Sequence, residues 1–266
     1  MSEAVDYPGL VSDLAAEEAA LDGVVAALDG EAWATATAAA GWDVRDTIAH
    51  LATAEELAGL ALTDPEAFTA RLTALLSHLD AAEAAMTARG RERSGPDVLA
   101  WWRTERAAVL AALRAHDARD RVPWIAGPMS AASFATARLM ETWAHGFDVA
   151  DALGVVMEPT ARLRHVADLG VRTRWFAYAA HGREMPRVDV RVELRAPDGS
   201  TWTWGADVGQ AVRGDALDFC LVVTQRRHVD DTALTVTGDA AREWMSITQA
   251  FAGPPSTVAR GRGMGA

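Results

Sequence analysis

A change of period near Pro186 constrains this chain more than any other feature. Before it, apolar residues recur three and four apart; after it, they alternate with polar ones. A helical period cannot fold as a half-buried sheet, because apolar side chains would then scatter over both faces. The chain is therefore expected to be α+β, with its two kinds of structure segregated. The reading is an up-and-down helical bundle over residues 1–158, a small α+β domain over 159–252 and a disordered tail over 253–266. At 266 residues, two domains fit comfortably.

Within the first part, "YPGLVSDLAAEEAALDGVVAAL" sets Leu10, Leu14, Leu21, Val24, Val25 and Leu28 on one stripe, with acids on the other face. A second helix is expected from Asp43, a good N-cap, with Asp46 in its first turn. "DPEAFTARLTALLSHLDAAEAAM" reads as a third helix and "SGPDVLAWWRTERAAVLAALRAH" as a fourth, each with Pro near its start. "DRVPWIAGPMS" interrupts the pattern, and a fifth helix, "AASFATARLMETWAHGFDVADALG", runs to a stop at Gly154. "PTARLRHVADLGVRTRWFAYAAHG" reads as one further helix. Then "RVDVRVELRAPDGSTWTWGA" reads as a hairpin turning at "PDGS". A short strand over Val208 to Val212, a helix "DALDFCLVVTQRRH", a strand "TALTVTG" and a helix "DAAREWMSITQAF" follow.

Charge and composition exclude several roles. A net charge of -12, from 37 acids against 25 bases, repels phosphate backbones, so nucleic acid is not an expected partner. No apolar run reaches the roughly 18 residues of a membrane span, and the first ten residues do not read as a signal peptide, so a cytoplasmic protein is expected. The single Cys220 excludes an internal disulfide, and its apolar setting, "FCLVV", makes it a poor nucleophile. All the bases are Arg and none is Lys, which fits GC-rich codon usage.

Candidate chemistry lies in "ETWAHGFDVAD". Glu141 and His145 are four apart and so share one helix face, with Asp148 three further along. A carboxylate and an imidazole at this spacing can share a divalent cation; equally, they can be the wet face of an ordinary helix. His50 lies beside the apolar stripe of the second helix, between a core histidine and a ligand in its reading. Should the second and fifth helices be neighbours, His50, Glu141 and His145 would converge with a coordination position open, the form of a catalytic zinc site. Asp148 would then orient a ligand. Trp124, Met129 and Ser130, just before the fifth helix, are candidates to line a mouth.

The segments "GWDVRDTIAHLA" and "ETWAHGFDVADALG" resemble the two signature helices of the DinB/YfiT-like metal-binding bundles, above all the actinobacterial branch typified by mycothiol-dependent maleylpyruvate isomerase. The resemblance implies a divalent metal, usually zinc, held by His50, Glu141 and His145. It also implies mycothiol as a thiol co-substrate and an appended, sterol-carrier-like C-terminal domain around "RGDALDFCLVVTQRR". Members often end that helix in Gly-Arg; here "TQRR" makes Arg226 the match for a catalytic arginine, with Gln225 in place of Gly and Arg227 competing. The expected activity is isomerisation of, or S-transfer to, an electrophilic small molecule by a monomer or homodimer. A thiol-independent zinc hydrolase or cyclase of a specialised metabolite, and a non-catalytic metal-binding scaffold, are the alternatives.

Overall fold

The computed structural model describes residues 6–77, 79–125 and 127–258. The chain divides into two compact units, Met1–Met157 and Glu158–Ala266. The first is built on four long helices, α1 (Tyr7–Val25), α2 (Val44–Thr63), α5 (Gly95–Arg114) and α6 (Ala131–Leu153). Two shorter ones, α3 (Pro65–Ser77) and α4 (Leu79–Arg91), lie between α2 and α5. These two were expected to be one helix; the residue between them, His78, lies outside the described residues. A two-stranded ribbon, β1 (Arg121–Val122) with β2 (Met129–Ser130), closes the loop before α6.

Local chemistry sets the ends of the two helices that matter most. Asp43 begins α2 with a reciprocal capping box: its side chain accepts from the Asp46 N–H, and the Asp46 carboxylate accepts from the Asp43 N–H. Ser130 caps α6 by accepting from the Ser133 N–H, and Gly154 ends it in the left-handed conformation, φ 64°. The apolar stripe of α1 is buried at Leu10, Leu14, Leu21 and Val25, and Leu21 and Val25 share a core cluster with Ile48, Leu51, Val98 and Trp102. The acids of α1 do not all face water as expected. Glu17 and Glu18 are buried, because Glu17 precedes Leu21 by four and Glu18 follows Leu14 by four, which sets both on the apolar stripe itself.

In the second unit, "PTARLRHVADLGVRTRWFAYAAHG" forms two helices, α7 (Leu163–Arg172) and α8 (Arg174–Ala180). Thr173 divides them: its hydroxyl donates to the carbonyls of Leu169 and Gly170, ending α7. Gly170 is required there, since a Cβ would lie 2.8 Å from the Val223 side chain. A mixed sheet has the order β4 (Thr201–Trp204), β3 (Arg191–Arg195), β5 (Ala211–Asp215), β6 (Thr235–Thr237). The β3–β4 hairpin is antiparallel, β3 and β5 are parallel, and β5 and β6 are antiparallel. The strand expected from Val208 begins instead at Ala211; Gly209, at φ 78°, turns the chain first and leaves Val208 exposed.

Helix α9 (Ala216–Val223) is shorter than expected, and α10 (Asp239–Ile247) closes the unit. The expectation of a disordered tail from 253 is corrected as far as residue 258. Gln225 donates to the Ser256 carbonyl (2.7 Å) and accepts from the Ser256 hydroxyl (2.7 Å), while Gln249 accepts from the Ser256 N–H (3.2 Å). Residues 259–266 lie outside the described residues.

Candidate metal centre

Helices α2 and α6 are antiparallel, and their facing sides bring His50, Glu141 and His145 together. One ligand atom from each lies within 4.8 Å of the others. The Nε2 atoms of His50 and His145 approach the same carboxylate oxygen of Glu141, at 3.8 and 3.5 Å. Ligand atoms around a four-coordinate zinc stand about 3.3 Å apart, given bonds of about 2.0–2.2 Å. The donor set of two imidazoles and a carboxylate therefore fits a divalent cation with little movement. Side-chain exposures of 29% for His50, 26% for Glu141 and 15% for His145 leave the cluster partly open to solvent.

The protonation states favour ligation. Burial pushes the Glu141 carboxyl up, but the neighbouring His145 and His50 imidazoles and the Arg138 charge outweigh it, holding Glu141 well below the usual carboxylate range. Burial pushes His50 down, with the charges of His145 and Arg138 adding to it against the pull of Glu141. An ionised carboxylate and a neutral imidazole are the forms that bind metal.

Two neighbours shape the cluster. Asp148 Oδ2 lies 3.2 Å from Nδ1 of His145, one turn along α6. That contact suits an Nδ1–H donor and holds the imidazole ring in place, the usual arrangement behind a metal-bound histidine. Trp42, in the loop before α2, stacks on His145, with ring centroids 6.4 Å apart, and meets His50 at a tilt of 47°, with centroids 5.2 Å apart. The sequence reading passed over Trp42. Its signal was present in "GWD", where Gly41, at φ 81°, bends the chain ahead of the cap.

Deeper in the bundle lies a second polar layer. Arg138 of α6 donates through Nε (3.0 Å) and Nη2 (2.7 Å) to Oε1 of Glu55 on α2, both side chains being buried. Glu18 of α1 is close enough for the Glu55 charge to act on it, and burial with that repulsion pushes its carboxyl up to about 9. Among the described residues, both Glu18 oxygens, Glu55 Oε2 and the Thr142 hydroxyl have no hydrogen-bond partner.

A family model described as the mycothiol maleylpyruvate isomerase N-terminal domain matches residues 14–150, more than half of the chain. The chain belongs to that family. The segment matched contains all three members of the cluster, and this mycothiol maleylpyruvate isomerase family is the branch that the two signature helices resemble. A second model, described as wyosine base formation, matches residues 187–237. Among curated relatives, uncharacterized proteins of two Mycobacterium tuberculosis strains, CDC 1551 / Oshkosh and H37Rv, are each 44% identical over 261 residues, covering 96% of this chain and 99% of theirs. A crystal structure of the mycothiol-dependent maleylpyruvate isomerase matches with a TM-score of 0.57 at 15% identity, over 87% of this chain and 93% of that one. A histidine-to-alanine mutant of that isomerase matches over the same shares, also with a TM-score of 0.57, at 16% identity. At such identity the likeness shows a common fold.

Other candidates fall elsewhere. Trp124 packs against Phe68 (5.9 Å) and Phe134 (5.0 Å), and Ser130 serves as the α6 cap. Ten residues of helix, about 15 Å at 1.5 Å per residue, separate Ser130 from Glu141, so Ser130 stands well away from the cluster, whereas the Trp42 ring lies beside it.

Arg226 is described within its own unit. Gln225 adopts φ 61°, the left-handed conformation usual for Gly after a helix. Its N–H donates to Val222 O (3.0 Å), and the Arg226 N–H to Leu221 O (2.7 Å). This is the Schellman closure of α9. Gln for Gly thus leaves the backbone turn intact, and Arg226 follows it as a Gly-Arg arginine would. Its Nη1 donates to the Thr224 carbonyl (2.7 Å). Cys220 is fully buried, its thiol pushed up by burial.

Proposed function

We propose that this protein is a metal-dependent enzyme that employs a low-molecular-weight thiol, mycothiol, on an electrophilic small molecule. The observation that carries the reading is the convergence of two imidazoles and one carboxylate from two helices, which as a three-ligand set leaves coordination room for a reactant. Bound there, a divalent cation, zinc by donor type, would lower the pKa of a thiol and supply a nucleophile at neutral pH. Within the chain, His50 and His145 would bind through Nε2 and Glu141 through its carboxylate. Asp148 would keep the proton on Nδ1 of His145, and Trp42 would wall one side and exclude water.

For isomerisation, the thiol gives up its proton to solvent, its sulfur bonds to one carbon of a double bond conjugated to a carbonyl, and the π pair moves onto that carbonyl as an enolate. Rotation about the resulting carbon–carbon single bond, then collapse of the enolate with expulsion of the thiolate, restores the double bond in the other geometry, and the thiolate takes a proton back from solvent. For transfer, the sulfur–carbon bond persists and a leaving group departs with the electron pair. The protein's own Cys220, buried and protonated, is unsuited to either role, which favours an external thiol. We assign Arg226 rather than Arg227 to the recognition of an anionic substrate, on the family pattern and the intact turn at Gln225.

The test loads purified protein with cobalt and titrates it with mycothiol. The reading expects the visible absorption to shift on thiol addition, and turnover of an activated cis-alkene acid to require the thiol. Arg226→Ala should lower that turnover about tenfold or more without changing metal affinity, whereas Arg227→Ala should do neither. A spectrum unmoved by thiol, together with thiol-independent hydrolysis of candidate metabolites, would overturn it in favour of a zinc hydrolase.

A further inference from the structure

We propose that the buried Glu55–Arg138 ion pair is the positioning device of the ligand cluster, locking α2 and α6 in the register at which His50 meets Glu141 and His145. The inference rests on the metal reading above and extends it to two residues that touch none of the three ligands' donor atoms. Glu55 follows His50 by five residues on α2, and Arg138 precedes Glu141 by three on α6. Because the helices are antiparallel, the pair lies deeper in the same helix–helix contact.

Three observations favour register over simple stability. First, the pair is nearly sealed, with side-chain exposures of 3% for Arg138 and 0% for Glu55. Taking two charges out of water costs several kcal/mol each, and a buried pair of this kind adds little net stability over well-packed apolar side chains. Second, it is directional: two guanidinium N–H groups converge on one oxygen, at 3.0 and 2.7 Å. Sliding α6 past α2 by one turn, about 5.4 Å, would strand both charges. Third, the pair is spaced like the cluster itself, five residues from His50 to Glu55 on α2 and three from Glu141 back to Arg138 on α6, so a single register satisfies both. Buried polar groups that fix register at a cost in stability are the best-attested use of such pairs.

The test compares the double variant Glu55→Leu/Arg138→Met, which replaces the pair by apolar side chains, with the full-length wild type. The expected result is a folded protein of near-native thermal stability whose zinc affinity is at least tenfold lower and whose cobalt spectrum is altered. Leu113→Ala, at the far end of α5, serves as the control and should lower stability while leaving zinc affinity alone. Should the double variant fail to fold, Arg138→Lys decides the matter by the same measurements, since it keeps the charge but not the two-point contact. A folded variant with wild-type affinity and spectrum overturns the inference, and so does an equal loss of affinity in Leu113→Ala. A metal-free crystal structure of the variant gives an independent reading: His50 Nε2 and Glu141 Oε2 still near 3.8 Å would overturn it whatever the metal data. Wild-type protein that takes up no divalent ion would overturn the metal reading alone.

Discussion

The N-terminal unit encloses Glu17, Glu18, Asp46, Glu55, Arg138 and Asp148, whereas the buried polar side chains described in the C-terminal unit are the uncharged Thr224, Thr248 and Gln249. Both units have ample apolar cores, so the contrast does not come from a shortage of hydrophobic residues. It comes from where charge is retained against its desolvation cost. In the bundle, Asp148 contacts the His145 imidazole and Arg138 spans α2 and α6. In the second unit, polar burial serves the chain itself: Gln225 and Gln249 fasten Ser256, and Thr224 finishes α9. A core that keeps charge marks the part of the molecule equipped for chemistry.

The contrast breaks most easily at the ligands. His50→Ala or Glu141→Ala should lower zinc affinity on the order of a thousandfold while the circular dichroism of the bundle persists, measured by competition with a chromogenic chelator. Retained affinity in both would remove the reason for a charged core.

Next in size is Glu18. Its folded carboxyl is raised from 4.5 to about 9, facing Glu55, Arg106, Arg138 and Arg114, so the folded state holds a proton that the unfolded state releases above pH 4.5. The stabilisation this gives is complete below the unfolded value and is lost as pH rises toward about 9. The slope is at most ~1.4 kcal/mol per pH unit. Glu18→Gln has no proton to lose, and its denaturation midpoint should fall less than that of wild type between pH 5 and 9; a steeper fall would refute the assignment.

Asp148→Asn should weaken zinc binding about tenfold, the usual effect of removing a ligand's orienting carboxylate. An unchanged affinity would make Asp148 a surface cap instead. Gln225→Gly should be the mildest. Relief of the left-handed conformation, about 1 kcal/mol, opposes loss of the clamp on Ser256. The expected thermal shift is a few degrees at most, with faster proteolysis after residue 249 as its visible sign.

Sequence legibility followed the range of the interaction. The cap at Asp43, the stop at Gly154 and the Glu141–His145 pair are written within a few consecutive residues, and the structure keeps each. Their partner His50 needed a family pattern, because nothing local tells which helix faces which. The Glu55–Arg138 pair spans 83 residues, so periodicity could not pair them; Glu18, by contrast, stands four after Leu14 and three before Leu21, on the apolar stripe itself, and its burial follows from that spacing. Thr173 divided one expected helix because a hydroxyl turned back onto its carbonyls, a choice that propensity does not decide. Val208 misled through its β-branched side chain, since Gly209 turns the chain before pairing begins.

Cys220 donates its thiol to the Leu163 carbonyl and has no surface open to solvent. With no lysine anywhere in the chain, the folded protein offers an alkylating agent neither a lysine amine nor the Cys220 thiol, and intact-mass spectra taken after brief exposure to a thiol-selective reagent should show an unlabelled polypeptide until the protein is unfolded.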